Sequence, residues 1–174
     1  MKIIEKPVDK EFQSNEPMFA TLISSDGELL KHLTVNLETT KKLILSLSPE
    51  KLLYKYAEGK WTIKEVIMHL VEMERIYSYR ALRFARNDQA ALPGFDADKY
   101  INFSGANERD VVSLLEEFTA VRQSAIALLN GLTDEALARS GVMNGYSVSV
   151  RALAYHIAGH ELHHINIIKE RYLG

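Results

Sequence analysis

Residues 61–70 read Trp61-Thr62-Ile63-Lys64-Glu65-Val66-Ile67-Met68-His69-Leu70, and residues 148–157 read Val148-Ser149-Val150-Arg151-Ala152-Leu153-Ala154-Tyr155-His156-Ile157. The two stretches align without a gap and match His69 to His156. In the first, Thr62 and Glu65 have capping-box spacing, while Trp61 and Val66 are placed as a hydrophobic staple, so a helix is expected to open at Thr62. A short piece with an N-cap residue precedes each copy, Ser48-Pro49-Glu50-Lys51-Leu52 and Thr133-Asp134-Glu135-Ala136-Leu137. The chain therefore reads as two related helical hairpins, which packed together make a four-helix bundle.

Working outward, apolar residues at three- and four-residue intervals define four long segments, and alternating strand-like stretches are missing. The expected class is all-α. The first helix spans about Asp26 to Leu47, with Leu29, Leu33, Leu37, Leu43 and Leu45 among its apolar positions. The second runs from Thr62 to near Asn87-Asp88. A polar loop from Gln89 to Asn107, containing Pro93-Gly94 and Asn102, is longer than the usual connection between helices and is expected to be a functional lid. The third helix starts at Asn107 or Glu108, carries Leu114, Leu115, Phe118 and Val121, and stops at the C-cap signal Asn130-Gly131. The fourth runs from Ser149 to about Tyr172. Residues 23–174 are expected to form one domain and residues 1–22 an N-terminal extension.

At 174 residues one compact domain can bury most of its apolar surface. The absence of cysteine removes disulfides and thiolate ligands, so any metal would be held by nitrogen and oxygen, and a reducing cytosol is compatible. No apolar run has signal-peptide or membrane-spanning length, giving the expectation of a soluble, cytoplasmic chain with no membrane partner. The net charge of -2 is spread over interspersed acids and bases, which argues against a nucleic-acid partner. Arg80, Arg83 and Arg86 are expected to be a solvated face or to pair charges at a helix C-terminus. Neither a Gly-rich phosphate loop nor a Gly-x-Ser-x-Gly elbow is present.

The chemistry concentrates in His156-Ile157-Ala158-Gly159-His160-Glu161-Leu162-His163-His164, which holds four of the six histidines. Residues four apart share a helix face, so His160 and His164 can aim two imidazoles at one point. His156 and His160 form an equally good pair, and spacing leaves both open. A third donor is needed from another helix, and His69 is the best placed. His163 lies about 60° around the helix from His160 and can border the site. Glu72, three residues after His69, and Glu161 are open as ligands, bases or supporting acceptors. Glu65 is occupied by its cap, and His32, beside Lys31, is expected at the surface. Tyr77, Tyr79, Tyr100, Tyr146 and Tyr155 read as core before cavity lining.

Trp61-Thr62 followed by His69-Leu70, together with His160-x-x-His163-His164, resembles the DinB-like, or YfiT-like, metalloenzyme family, over nearly the whole chain as far as Tyr172. The resemblance implies a four-helix bundle and a divalent ion held by His69, His160 and His164. It moves His156, with His163 and Glu72, to pocket-lining or supporting roles. Zinc or nickel is the expected ion, with iron and manganese as alternatives. Three imidazoles leave a position open, which suits catalysis. The activities implied are thiol-dependent S-transfer with bacillithiol or mycothiol, maleylpyruvate isomerisation and metal-dependent hydrolysis. A small-molecule substrate, such as a low-molecular-weight thiol, and a homodimer are expected. The contrasting expectation is a non-catalytic metal-binding or stress-response bundle.

Overall fold

A computed structural model describes residues 1–12 and 17–174. In chain order its helices are α1 (Pro17–Ala20), α2 (Leu29–Leu45), α3 (Pro49–Leu52), α4 (Ile63–Ala85), α5 (Ala97–Asn102), α6 (Val111–Asn130), α7 (Asp134–Ala138) and α8 (Val150–Ile167). The long helices α2, α4, α6 and α8 form the expected bundle, with α4 packed against both α6 and α8.

Local chemistry sets the helix starts. Thr62 Oγ1 accepts from the Glu65 amide at 3.1 Å, and the Glu65 carboxylate accepts from the Thr62 amide at 2.7 Å, closing the capping box. Ser149 caps α8 through the Ala152 amide at 3.1 Å. Ser48 and Thr133 cap the short helices α3 and α7 as expected.

The apolar core is in two halves. One gathers Met73, Tyr77 and Phe84 of α4 with Leu153, Ile157 and neighbours of α8; the other gathers Val66, Ile67 and Leu70 with Phe118 and Ile165. Between the halves on α4 and α8 lie His69, Glu74, His160, Glu161 and His164, so the bundle has a polar waist. Arg122 of α6, buried within it, donates to both Glu74 oxygens at 2.6 and 2.8 Å and to the Leu33 carbonyl at 2.6 Å, and pairs with Glu161 at 2.9 Å. Thr40 of α2 donates to the other Glu161 oxygen at 2.7 Å. One guanidinium thus joins all four long helices. Buried charge persists only where it is paired and hydrogen-bonded in this way.

Several expectations need correction. A β-hairpin, β1 (Ser140–Met143) with β2 (Tyr146–Ser149), precedes α8. Its turn residues Asn144 and Gly145 have φ of 52° and 83°, the left-handed pair that a two-residue hairpin turn requires. The segment between α4 and α6 is not a bare loop: α5 and a 3-10 turn at Ala106–Glu108 occupy it, and Leu92 is tied to the hairpin through Val142 and Asn144. Residues 107 and 108 belong to that turn, so α6 starts later than expected, capped by Asp110. The end of α6 at Asn130-Gly131 is as expected, with Gly131 in a right-handed conformation at φ -87°. Past Ile167, α8 widens into a π-helical turn at Ile168–Leu173. Arg80 is buried rather than solvated, donating to the Pro93 carbonyl at 2.9 Å, whereas Arg83 does pair with Asp88 at the helix end.

The described part of residues 1–22 packs on the bundle. Ile4 is buried, its amide donates to Gly27 O at 3.0 Å, and its carbonyl accepts from the Tyr155 hydroxyl at 2.9 Å. Residues 13–16 lie outside the described residues. Among the described residues no helix is long and apolar enough to cross a membrane.

Candidate metal centre

His69 projects from α4, and His160 and His164 from successive turns of α8, into the polar waist. Nε2 of His160 lies 3.2 Å from Nε2 of His69 and 3.0 Å from Nε2 of His164. The three ring centroids are 5.0, 4.9 and 4.5 Å apart pairwise. An imidazole nitrogen has one proton or one lone pair to offer, so His160 Nε2 cannot make both contacts as hydrogen bonds. A shared cation accounts for these two separations: nitrogens around a tetrahedral ion at a Zn–N distance of ~2.0–2.1 Å stand about 3.3 Å apart. One nitrogen from each ring lies within 4.8 Å of the other two. The set fits a divalent metal.

Electrostatics supports the same use. Burial pushes the pKa of His69 down to about 4 and that of His164 to about 3, and it moves His160 well below its ordinary value, with the neighbouring histidines adding to the shift. All three rings are therefore neutral at neutral pH, which is the form that ligates. Trp61 lies against His69 at 4.7 Å between centroids and is parallel to His164 at 6.5 Å. Beside them a pocket of about 300 Å³ is lined by His164, Trp61, Tyr56 and Tyr172, with Lys60 and Asp98 also at its wall. Asp98 belongs to α5, so the segment between α4 and α6 borders the centre.

A DinB superfamily profile matches residues 32–168. The chain belongs to the DinB superfamily. A protein of Oceanobacillus iheyensis that carries the provisional name of a metal-dependent hydrolase is 28% identical over 145 residues, covering 82% of each chain. YfiT from Bacillus subtilis, described as a probable metal-dependent hydrolase with an unusual four-helix bundle topology, superposes with a TM-score of 0.74 at 18% identity, over 95% of this chain and 90% of that one. A DinB-like protein of Bacillus subtilis, YjoA, gives a TM-score of 0.57 at 19% identity, over 80% and 85% of the two chains. At these identities the two structures speak for the fold.

Within this DinB bundle the remaining sequence candidates are distributed around the cluster. His156 is buried one turn before His160, its ring 5.5 Å from that of His160 and 4.2 Å from that of Tyr77. Burial, with Arg80 nearby, lowers its pKa to about 3. It is outside the group of converging nitrogens, so of the two pairs that spacing left open the structure assembles the later one. His163 is partly exposed and edges Phe19 at 4.9 Å. Glu72 also stands apart from the converging nitrogens. Its charged neighbours are Glu117 and Arg75, and burial followed by Glu117 raises its pKa. Glu161 is held by Arg122 and Thr40, Glu65 by its cap, and His32 pairs with Asp26 at 2.9 Å. Tyr77 and Tyr155 are core, whereas Tyr79, Tyr100 and Tyr146 are exposed.

Sequence reasoning missed Phe19, Glu74 and Arg122. The ring of Phe19 lies 5.1 Å from that of His156 and 5.4 Å from that of His160, edge-on to both. Glu74 falls five residues after His69 and reads as one more charged helix position. Its only sequence signal is its place inside an otherwise apolar helix face.

Proposed function

We propose that the protein is a metal-dependent enzyme of the hydrolase type, with His69, His160 and His164 as ligands and a small organic substrate in the pocket beside His164. The observation that carries this reading is the pair of contacts at His160 Nε2, 3.2 and 3.0 Å, which two hydrogen bonds cannot explain. Zinc or nickel suits an all-imidazole donor set. When bound, such an ion supplies Lewis acidity, lowering the pKa of water or a thiol at its open position and polarising a substrate carbonyl. The protein's own part is to keep the three rings neutral through burial, to hold His69 against Trp61, and to present an aromatic wall to the substrate. Lys60 and Asp98 offer one charge of each sign to a polar substrate. The names of the Oceanobacillus and Bacillus relatives support hydrolysis over transfer.

Elemental analysis of protein purified without a nickel column is the first test: about one equivalent of a transition metal is expected, and none would overturn the proposal. Turnover separates the nucleophiles. Ester or amide cleavage without added thiol, abolished by chelation, is the expected result. Chelator-sensitive conjugation of a chloro-dinitroarene only when a low-molecular-weight thiol is added would assign S-transfer instead.

A further inference from the structure

Behind His160, on the side of the bundle where Arg122 pairs with Glu74, lies a small cavity of about 10 Å³. Its walls include His160, Glu74, Arg122, Glu161 and Tyr77, together with apolar residues such as Leu70 and Ile157. That volume accepts one water-sized centre, and a buried water persists where it finds two to four polar partners. An apolar void of this size would stay dry; this one is lined by a guanidinium, two carboxylates and an imidazole.

The charges around it are unequal. Arg122 faces two carboxylates, and the three side chains are buried together in the core. Desolvation makes two buried carboxylates per guanidinium costly unless further positive charge or donors are near. The centre formed by His69, His160 and His164 is the next polar group along the waist, and His160 is the ring common to that centre and the cavity. By contrast, Nδ1 of His69 is buried with no hydrogen-bond partner among the described residues.

Resting on the metal-centre reading above, we infer that one ordered water in this cavity links the ring of His160 to the Glu74–Arg122–Glu161 cluster. Through that link the cluster acts as the positioning and counter-charge group for the metal. His160 commits Nε2 to the converging set, which leaves Nδ1–H as its donor toward the water. The water passes the hydrogen bond to a carboxylate that Arg122 and Thr40 hold in place. Glu74 and Glu161 thus do for His160, through one water, what a directly bonded carboxylate does behind many ligating histidines.

The test is zinc affinity, measured by chelator competition on the full chain with Zn²⁺ alone as the probe, alongside the melting temperature of the apo protein. Glu74→Gln and Glu161→Gln keep side-chain shape and remove charge. Each is expected to weaken zinc binding by about 10- to 100-fold. A purely structural role would lower the apo melting temperature and leave zinc affinity unchanged in a variant that still folds, and that result overturns the inference. If neither Gln variant folds, Thr40→Val removes the hydroxyl that aligns Glu161 without deleting a charge. A several-fold loss of zinc affinity then supports the inference, and wild-type affinity overturns it. A wild-type chain that takes up neither zinc nor nickel sinks the metal reading itself, and this inference with it. Tight wild-type binding with unaffected variants sinks this inference alone.

Discussion

An ideal β-carbon on Gly159 would stand 1.9 Å from the backbone carbonyl oxygen of Phe19 and 2.5 Å from its carbonyl carbon. Gly159 is mid-helix in α8, immediately before His160, at a position where glycine ordinarily weakens a helix. Its use is the close approach it permits: α1 crosses α8 backbone to backbone, and the Phe19 ring is thereby set beside His156, His160 and His163.

Gly159→Ala is therefore expected to destabilise the protein although alanine is the better helix former. The helix gains up to ~1 kcal/mol, but the clash is with main chain that cannot rotate away, and overpacking typically costs ~1–3 kcal/mol or more. Urea unfolding should give a lower midpoint than wild type. An equal or higher midpoint would show that α1 does not lie where the structure puts it.

The depressed histidines make an acid prediction with a definite sign. A ring whose pKa is about 6.5 unfolded and about 3 or 4 folded contributes stability that is fully present above pH 6.5 and is lost as pH falls toward the folded value. At pH 5 the loss is about 2 kcal/mol for each of His69, His156 and His164, or roughly 6 kcal/mol together. That is comparable to the whole stability of a typical domain. The apo protein should accordingly approach its unfolding midpoint near pH 5 at room temperature. Circular dichroism from pH 8 to 4 checks this, and a flat trace down to pH 4 would contradict the burial of these rings.

Arg122 yields a larger expected effect than any other side chain in the waist. Arg122→Met keeps much of the volume but leaves Glu74 and Glu161 buried without their cation. Breaking a buried pair from one side costs about 3–5 kcal/mol. The triple change Arg122→Met, Glu74→Gln, Glu161→Gln, which removes the stranded charges, is expected to recover part of that loss. Chemical denaturation of the two variants distinguishes a tightly desolvated cluster from a wet one, in which both would be near wild type.

What the sequence disclosed follows from how local each signal is. The capping box at Thr62, the caps at Ser48 and Thr133 and the apolar period of α4 and α8 are short-range, and they gave the bundle directly. His69 opposite the histidine run of α8 followed once two packed helices were in hand, but the choice of His160 and His164 over His156 and His160 came from the family resemblance and not from spacing. Long-range pairings left no such trace. Glu74, Arg122, Glu161 and Thr40 come from four helices, and each alone looks like a solvent-facing or neutral helix residue. The hairpin was missed for another reason: its strands have four residues each, too short for alternation to register. Asn144-Gly145 between Val142-Met143 and Tyr146 was nonetheless a usable turn signal. Arg80 misled because three arginines three residues apart look like a charged face, whereas its guanidinium is drawn inward by the Pro93 carbonyl and the ring faces of Tyr77 and Phe95.

Spacing made His156–His160 and His160–His164 equivalent pairs, and two alanine variants now separate them. His164 is partly exposed at the wall of the pocket, so His164→Ala removes one donor and little packing; the fold should survive and bound metal should fall to a small fraction of an equivalent. His156 is buried between Phe19 and Tyr77 and lies outside the converging nitrogens, so His156→Ala should keep the metal and lose stability, by about 2–4 kcal/mol on the scale of large-to-small core changes. Metal content by elemental analysis and stability by urea unfolding, measured on the same two preparations, give a double dissociation. If His156→Ala instead empties the protein of metal while His164→Ala retains it, the ion sits one helical turn lower, between His156 and His160, and the open position faces Phe19 rather than Trp61.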